Sequence, residues 1–295
     1  LMCLSTRDFD TACMHPDWFS ELQDHTRIGM IAGMRKVLWE KDAMCRTISR
    51  VTPIKSLRNA AGKFKFAIPC FVLPEDTFQL VVDMKTRERA AKAAKTDPPR
   101  YMVKPLGRGE GKGIFIANTY SDVVSTQNAY IQGSAKLVQP FVADPFLINK
   151  KKFDFRTYVL VTSISPLRVY MFDEGLVRFA AKNYNRDSNK EEEYLTNTSI
   201  NKKFAALASL TWTFEKLRRW FDGNGFSSSK VFGDIQGAIV TMLMTSEPTF
   251  KEHFRTKLGS RNCNACYQLL GVDVMLDENL HPLIIEVNGL PSMQI

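Results

Sequence analysis

Apolar residues along the chain follow two rhythms. Those spaced three and four apart predict helices over Ile28 to Ile48, Phe78 to Lys95 and Val231 to Thr245. In the last of these, Val231, Ile235, Ala238, Ile239, Met242 and Leu243 form one core-facing stripe. Short apolar or alternating runs predict strands at Gly62 to Pro69, Tyr101 to Lys104, Ile114 to Ala117, Leu137 to Val142, Phe155 to Ser163, Arg168 to Phe172 and Leu176 to Ala181. The turns between them, such as Ser165-Pro166 and Asp173-Glu174-Gly175, are short, and strands joined this way predict antiparallel pairing. Tyr267 to Val287 returns to strand character around Asp277-Glu278-Asn279, while Asn185 to Glu193, polar and unpatterned, reads as a mobile loop. The second helix stops at Asp97-Pro98-Pro99, because proline lacks the amide donor and disfavours helix at the residue before it. That is the first boundary. No internal repeat or low-complexity segment appears, and the expected fold class is α+β.

Length and composition remove several classes. With 295 residues and 44% apolar side chains the chain buries a real core, which excludes disorder and collagen-like repeats. No apolar run approaches the roughly 20 residues that span a bilayer. The best candidates, Tyr158 to Ile164 and Ala238 to Met244, are far shorter, so no membrane span is expected. The opening Leu1-Met2-Cys3, with charges close behind, lacks the layout of a secretory signal. Cysteines at 3, 13, 45, 70, 263 and 266 are scattered, which predicts reduced thiols in an intracellular protein. Cys263-Asn264-Ala265-Cys266 has the spacing of a zinc or redox pair, yet no second pair supplies further ligands, and it reads as free thiols at a helix start. Forty basic against 31 acidic residues leave a net charge of +9, which favours an acidic partner. No recognisable nucleic-acid reading module accompanies that charge, so nucleic acid is not expected as the partner.

Candidate chemistry gathers in three places. Gly107-Arg108-Gly109-Glu110-Gly111-Lys112-Gly113 lies between two predicted strands, and its glycines let backbone amides approach phosphate oxygens closely. It is neither a Walker loop, since Lys112 is followed by Gly113 and Ile114, nor a dinucleotide fingerprint. Lys104 before it and Lys112 within it make a lid over a triphosphate one reading, and an ordinary flexible loop the other. In Ile284-Ile285-Glu286-Val287-Asn288, Glu286 and Asn288 share one strand face, and folding back through the turn near 279 sets Asp273 opposite Glu286. Three hard oxygen donors suit Mg²⁺, and an exposed polar sheet face is the alternative. In Lys152-Phe153-Asp154-Phe155-Arg156, Asp154 and Arg156 share a face, and Arg178 lies on a later strand where a guanidinium fork can take carboxylate or phosphate. The chain contains neither G-x-S-x-G nor H-E-x-x-H, which argues against a serine hydrolase or a zinc protease.

In order along the chain, Lys104-Pro105 with the glycine loop, Val138-Gln139-Pro140-Phe141-Val142, Lys152-Phe153-Asp154-Phe155-Arg156, Gly175-Leu176-Val177-Arg178-Phe179, Leu195-Thr196-Asn197, Asp273 and Glu286-Val287-Asn288 resemble the tubulin tyrosine ligase-like enzymes, over about residues 25 to 295. The resemblance implies an ATP-grasp fold, two α+β subdomains pinching a nucleotide. It divides the chain into a mainly helical N-terminal region at 1–99, a central lid subdomain at 100–143 and a C-terminal subdomain at 144–295 carrying the metal site. It implies a ligase that uses ATP and Mg²⁺ to join an amino acid to a protein carboxylate through an acyl phosphate. Carried over by position, Lys104, Arg108, Gly109, Gly111, Lys112 and Gly113 surround the phosphates. Gln139, Pro140, Phe141 and Val142, with Lys152 and Asp154, surround adenine and ribose, and Thr196 and Asn197 line the site. Arg156, Arg178 and Lys104 are the catalytic set near the γ-phosphate and acceptor, and Asp273, Glu286 and Asn288 hold Mg²⁺.

Thr157 through Ser163 and Leu195 through Lys202 resemble the glutamate-adding branch in particular. That implies free glutamate as donor, the acidic C-terminal tails of tubulin or microtubules as acceptor, a monomer, and a place in the cytoplasm and cytoskeleton, extending to cilium, flagellum or basal body. Asp173, Tyr194 and Pro140 depart from the family's usual residues. Two alternatives therefore stay open: a weakly active or inactive relative that binds tubulin or nucleotide, and a ligase for another amino acid such as glycine or tyrosine.

Overall fold

The computed structural model describes residues 27–51, 66–107, 111–125, 135–258 and 265–293. Two antiparallel sheets organise them, which with the helices makes the fold α+β. Strands β1 (Phe71–Leu73), β2 (Tyr101–Pro105), β3 (Phe115–Ala117) and β4 (Lys136–Pro140) pair in the order β1-β4-β2-β3. The larger sheet runs β10-β9-β6-β7-β8, from β6 (Lys151–Ile164), β7 (Leu167–Phe179), β8 (Thr211–Thr213), β9 (Gln268–Leu276) and β10 (Pro282–Asn288), with β5 (Leu147–Ile148) added to β6. The small sheet takes β1 from before the Pro98-Pro99 break and its other strands from after it.

Helix α1 (Lys41–Val51) leads towards the small sheet and helix α2 (Thr77–Ala94) seals it. Leu80 of α2 is fully buried among Leu73, Tyr101, Val103, Ala117, Val123 and Val138, a burial worth about 2 kcal/mol on apolar area alone. Tyr101 brings a hydroxyl into this core and donates it to Asp83 at 3.0 Å, which satisfies the group on burial. A short helix α3 (Tyr120–Val124) follows β3.

The larger sheet is held by aromatic side chains. Phe155 on β6 meets Phe214 of helix α4 (Phe214–Gly223) at 5.9 Å between ring centroids and Phe232 of helix α5 (Ser228–Leu258) at 5.8 Å, both edge to face. Such pairs add about 1 kcal/mol each to the area they bury. The chain reaches α4 through a cap in which Thr213 accepts from the Lys216 amide and Glu174 from the Phe214 amide.

Several expectations change. The runs 168–172 and 176–181 belong to one strand, β7, and Asp173-Glu174-Gly175 marks an irregularity in its register with β6 instead of a turn. Gly175 explains this: a Cβ there would lie 2.5 Å from the Arg156 carbonyl oxygen and 2.5 Å from the Phe214 ring, so the strand bends where the ring comes closest. The first helix does not start at Ile28. Gly33 takes a left-handed φ of +77° beside His253, and a π-helical turn, Arg35–Trp39, precedes α1. Of the strand expected at 62–69, residues 62–65 lie outside the described residues, and Ala67 contributes a single bridge to Ile284. The loop expected to be mobile at 185–193 is tied down, since Arg100 donates to the carbonyls of Arg186 and Ser188 and to the Asn189 side chain, and Glu191–Tyr194 closes as a helical turn.

The expectation of reduced thiols is overturned as well. Packing α1 against β1 brings the Cys45 and Cys70 Cα atoms to 5.9 Å, within reach of a disulfide, and the two are bonded. Cys266 is also disulfide-bonded and leads into β9 through a bridge to Ile28, not into a helix. Helix α1 faces both ways: Met44 and Ile48 belong to the core under the larger sheet, whereas Cys45 packs with Val72 and Leu137 of the small one.

Candidate active site

A cleft opens between the sheets. The small sheet lines it with Met102, Lys104 and Gln139, and the larger with Lys152, Asp154, Arg178, Asp273 and Glu286. One end is apolar. There Met102, Ile114, Phe141, Tyr194 and Leu195 converge, with Phe141 and Tyr194 edge to face at 6.1 Å and the Lys152 Nζ over the Phe141 ring at 5.6 Å. Flat apolar walls beside a cation suit an aromatic base.

The other end is ionic because alternation along β6 and β7 points Asp154, Arg156 and Arg178 away from the aromatic core and into the cleft face. Asp154 stands directly opposite Arg178, and Arg156 opposite Asp273. Arg178 donates from Nε and Nη2 to the two Asp154 oxygens at 2.7 and 2.6 Å, and its Nη2 also lies 2.9 Å from Asp273 Oδ2. Thr196 donates to Asp154 at 2.6 Å. Arg156 forks onto both oxygens of Asp273, with the Nη2 bond at 2.9 Å. Burial alone would raise the Asp273 carboxyl, but Arg178 and Arg156 overcome it and hold the group below the ordinary carboxylate range. Burial alone would lower the Arg178 guanidinium, and the two carboxylates raise it instead.

The lysines are placed differently. Lys104 donates to Gln139 at 2.7 Å, and burial pushes it down to about 8. Lys152 is pushed down to about 8 by the same cause, with Asp154 opposing. Among the described residues neither amine is matched by a carboxylate contact as close as those of the arginines. The cleft lining holds Lys41, Lys104, Lys112, Lys152 and Arg178 against Asp154, Asp273 and Glu286, so positive charge is in excess where an anion can enter.

The register of β9 and β10 sets Glu286 opposite Asp273, as the strand faces predicted, and Asn288 opposite Gly271. Asn288 Nδ2 lies 3.5 Å from Asp273 Oδ2, and Lys41 Nζ lies 3.2 Å from Glu286 Oε1. Two carboxylates and an amide oxygen are a set that Mg²⁺ accepts when phosphates and water complete its shell, so the residues present fit that ion in kind. Among the described residues no group of three or more His, Cys, Asp or Glu side chains gathers to hold a metal without such help.

Of the residues singled out in the sequence, Lys104, Gly111, Lys112, Gln139, Pro140, Phe141, Val142, Lys152, Asp154, Arg178, Thr196, Asn197, Asp273 and Glu286 line this one cleft. Arg156 and Asn288 stand behind the lining and bond to Asp273. Gly113 has a φ of +75° and packs its Cα side against Pro105, which shapes the loop. Arg108 and Gly109 lie outside the described residues. Gly111 has a φ of +76°, and a Cβ there would come within 2.9 Å of Asn197 Oδ1, so the loop can close on the Thr196–Asn197 segment only with glycine.

Two residues escaped the sequence reading. Lys41 sits at the first position of α1, far from every other lining residue in the chain, and only the packing of α1 on β10 brings it to Glu286. Asn201, fully buried, donates to the carbonyls of Leu195 and Asn197 at 2.7 and 3.2 Å and accepts from the Ala181 amide at 3.0 Å, which fixes the strip bearing Thr196 and Asn197. Its spacing after Leu195-Thr196-Asn197 was the available signal.

Residues 33–295 match the profile of the tubulin-tyrosine ligase family. The chain is 30% identical over 282 residues to a human protein named tubulin polyglutamylase TTLL6, covering 92% of this chain and 29% of that protein. It is 31% identical over 287 residues to mouse tubulin monoglutamylase TTLL4, covering 93% and 22%. With tubulin polyglutamylase ttll-4 of Caenorhabditis briggsae the identity is 31% over 284 residues, covering 93% and 43%. The chain therefore spans less than half the length of these relatives. Among the described residues no helix is long and apolar enough to cross a membrane.

Proposed function

The chain belongs to the tubulin-tyrosine ligase family, and from that premise we propose that it is an ATP- and Mg²⁺-dependent ligase adding glutamate to glutamate side chains of acidic tubulin tails. The relatives' names, polyglutamylase and monoglutamylase, supply the donor and acceptor. The observation that supports the reading most is the polarity of the cleft: an aromatic end formed by Phe141 and Tyr194, and a cationic end facing the Asp273–Glu286 pair. A purine and a polyphosphate have the same two-ended character.

Bound ATP with Mg²⁺ supplies the phosphoryl group that activates the acceptor carboxylate as an acyl phosphate and the charge that offsets its transfer. This chain's residues then bind and orient. Lys104, Lys112 and the loop from Arg108 and Gly109 to Gly113 take the phosphates. Gln139 to Val142 with Lys152 and Asp154 enclose the base and ribose, and Thr196 and Asn197 close that side. Asp273, Glu286 and Asn288 hold the cation. In the structure Asp273 is paired with Arg156 and Arg178 and Glu286 with Lys41, which aims both carboxylates. Arg156 and Arg178 serve the γ-phosphate and the acceptor. In this scheme residues 100–143 act as a lid, 144–295 as the body, and 1–99 complete the N-terminal side.

The test is mass spectrometry of a tubulin-tail peptide after incubation of the full-length protein with ATP, Mg²⁺ and each amino acid in turn. Addition of glutamate, lost in Glu286→Gln, is expected. Addition of glycine or tyrosine instead would replace the donor, and no addition with nucleotide still bound would reduce the protein to a binding relative.

A further inference from the structure

We infer that Trp39 is a positioning residue for the cation-binding end of β10, acting through Gly289, an inference that rests on the role proposed for Glu286 and Asn288. Gly289 directly follows Asn288 and is buried although it has no side chain. The Trp39 indole lies against its Cα: a Cβ there would overlap the indole at Cδ2 and Cε3 and stand 2.8 Å from Cε2. The carbonyl of the same residue is also held. Gln268, 1% exposed, donates to the Gly289 carbonyl at 2.6 Å, and its Oε1 lies 3.4 Å from the Ile31 amide. Gly289 is thus gripped between a ring and an amide, both tied to the segment that precedes α1.

Trp39 ends the π-helical turn and Lys41 opens α1 two residues later, with its amine on Glu286. One short segment therefore touches β10 twice, through a ring on Gly289 and a charge on Glu286. Asn288 lies between these points, and its Nδ2 makes two long contacts, at 3.4 Å to the Gly271 carbonyl and at 3.5 Å to Asp273. Its carbonyl-amide head stays aimed only while the backbone on either side is fixed. The indole provides that fixation by bulk, since its polar nitrogen is not needed for the contact with Gly289. Groups that orient a metal ligand without touching the metal commonly matter about tenfold or more to affinity or rate.

The experiment uses the full-length protein with Trp39→Ala, Trp39→Phe, Gly289→Ala and the double variant Trp39→Ala/Gly289→Ala. Two readouts are taken: the Mg²⁺ concentration needed for half-maximal ATP binding, and hydrogen exchange of the peptide spanning 284–292. Trp39→Ala is expected to raise the Mg²⁺ requirement about tenfold and speed exchange in that peptide. Trp39→Phe keeps a ring over Gly289 and is expected within about twofold of wild type. Gly289→Ala alone should be as damaging as Trp39→Ala, and should add nothing once the indole is gone, which is the signature of a shared contact. Equal damage from Gly289→Ala with and without Trp39, or unchanged exchange in Trp39→Ala, overturns the assignment. If wild type binds ATP with no dependence on Mg²⁺, the proposed function fails, and the exchange pattern still decides whether Trp39 holds the strand end.

Discussion

Arg178 shows how much one side chain can carry. Its guanidinium serves Asp154 with two parallel bonds and reaches Asp273 with a third contact, all with the side chain largely buried. Lysine keeps the charge but has no fork, so Arg178→Lys leaves one of the two carboxylates poorly matched. The variant should fold, lose about 2 kcal/mol in denaturant unfolding, and ligate at least about tenfold more slowly. A ligation rate equal to wild type would confine Arg178 to holding strands together. Lys104 and Lys152 lead to a prediction with two opposite signs. Both are pushed down to about 8 by burial, whereas an unfolded lysine keeps its proton to 10.5. Between those values the unfolded chain binds more protons, so stability rises with pH from about 8 upward, and below 8 the full cost of the buried charges is present. ATP affinity should fall over the same range, because a lysine without its proton no longer attracts phosphate. Melting temperature and ATP Kd measured from about pH 7 to 9.5 check both signs, and a Kd indifferent to pH counts against the phosphate role of Lys104.

At the scale of elements, the disulfide is the feature that the sequence concealed. Cys45 and Cys70 are separated by 25 residues, and a bridge closing a loop of that size stabilises the fold by between about 3 and 4 kcal/mol through the unfolded state. Cys70→Ser should lower the denaturation midpoint accordingly, and a midpoint equal to that of the wild type would mean that this pair is not joined in solution. Nothing in the spacing of six scattered cysteines announces this pair, because its geometry depends on α1 docking against β1. The same limit explains Lys41. Strand-face arithmetic made Asp273, Glu286 and Asn288 legible, since alternation and one turn fix which side chains share a face. It also gave Asp154 and Arg156 to one strand face and Arg178 to a later strand, though not the direct pairing of Asp154 with Arg178, because Asp173-Glu174-Gly175 looked like a turn and hid the continuity of β7. Gly175 was visible as a glycine; the Phe214 ring that requires it was not. What local pattern determines was readable, and what distant elements determine by packing was not.

Over the whole molecule, a net charge of +9 favours an acidic tail as partner. Exposed charges are screened beyond about 8 Å at physiological ionic strength, so tail binding should weaken from dilute to physiological salt while ATP binding in the enclosed cleft changes less. Tail affinity unmoved by salt would remove charge as the recruiting force. The two sheets each bury a core of their own, and helix α1 is common property: Met44 and Ile48 are counted in one core and Cys45 in the other. Such a helix cannot melt from one side alone. Losing either core strips α1 of half its packing and withdraws it from the other, so the sheets share a single cooperative unit of unfolding. A scanning calorimeter would then record one heat-absorption peak for a chain whose architecture suggests two.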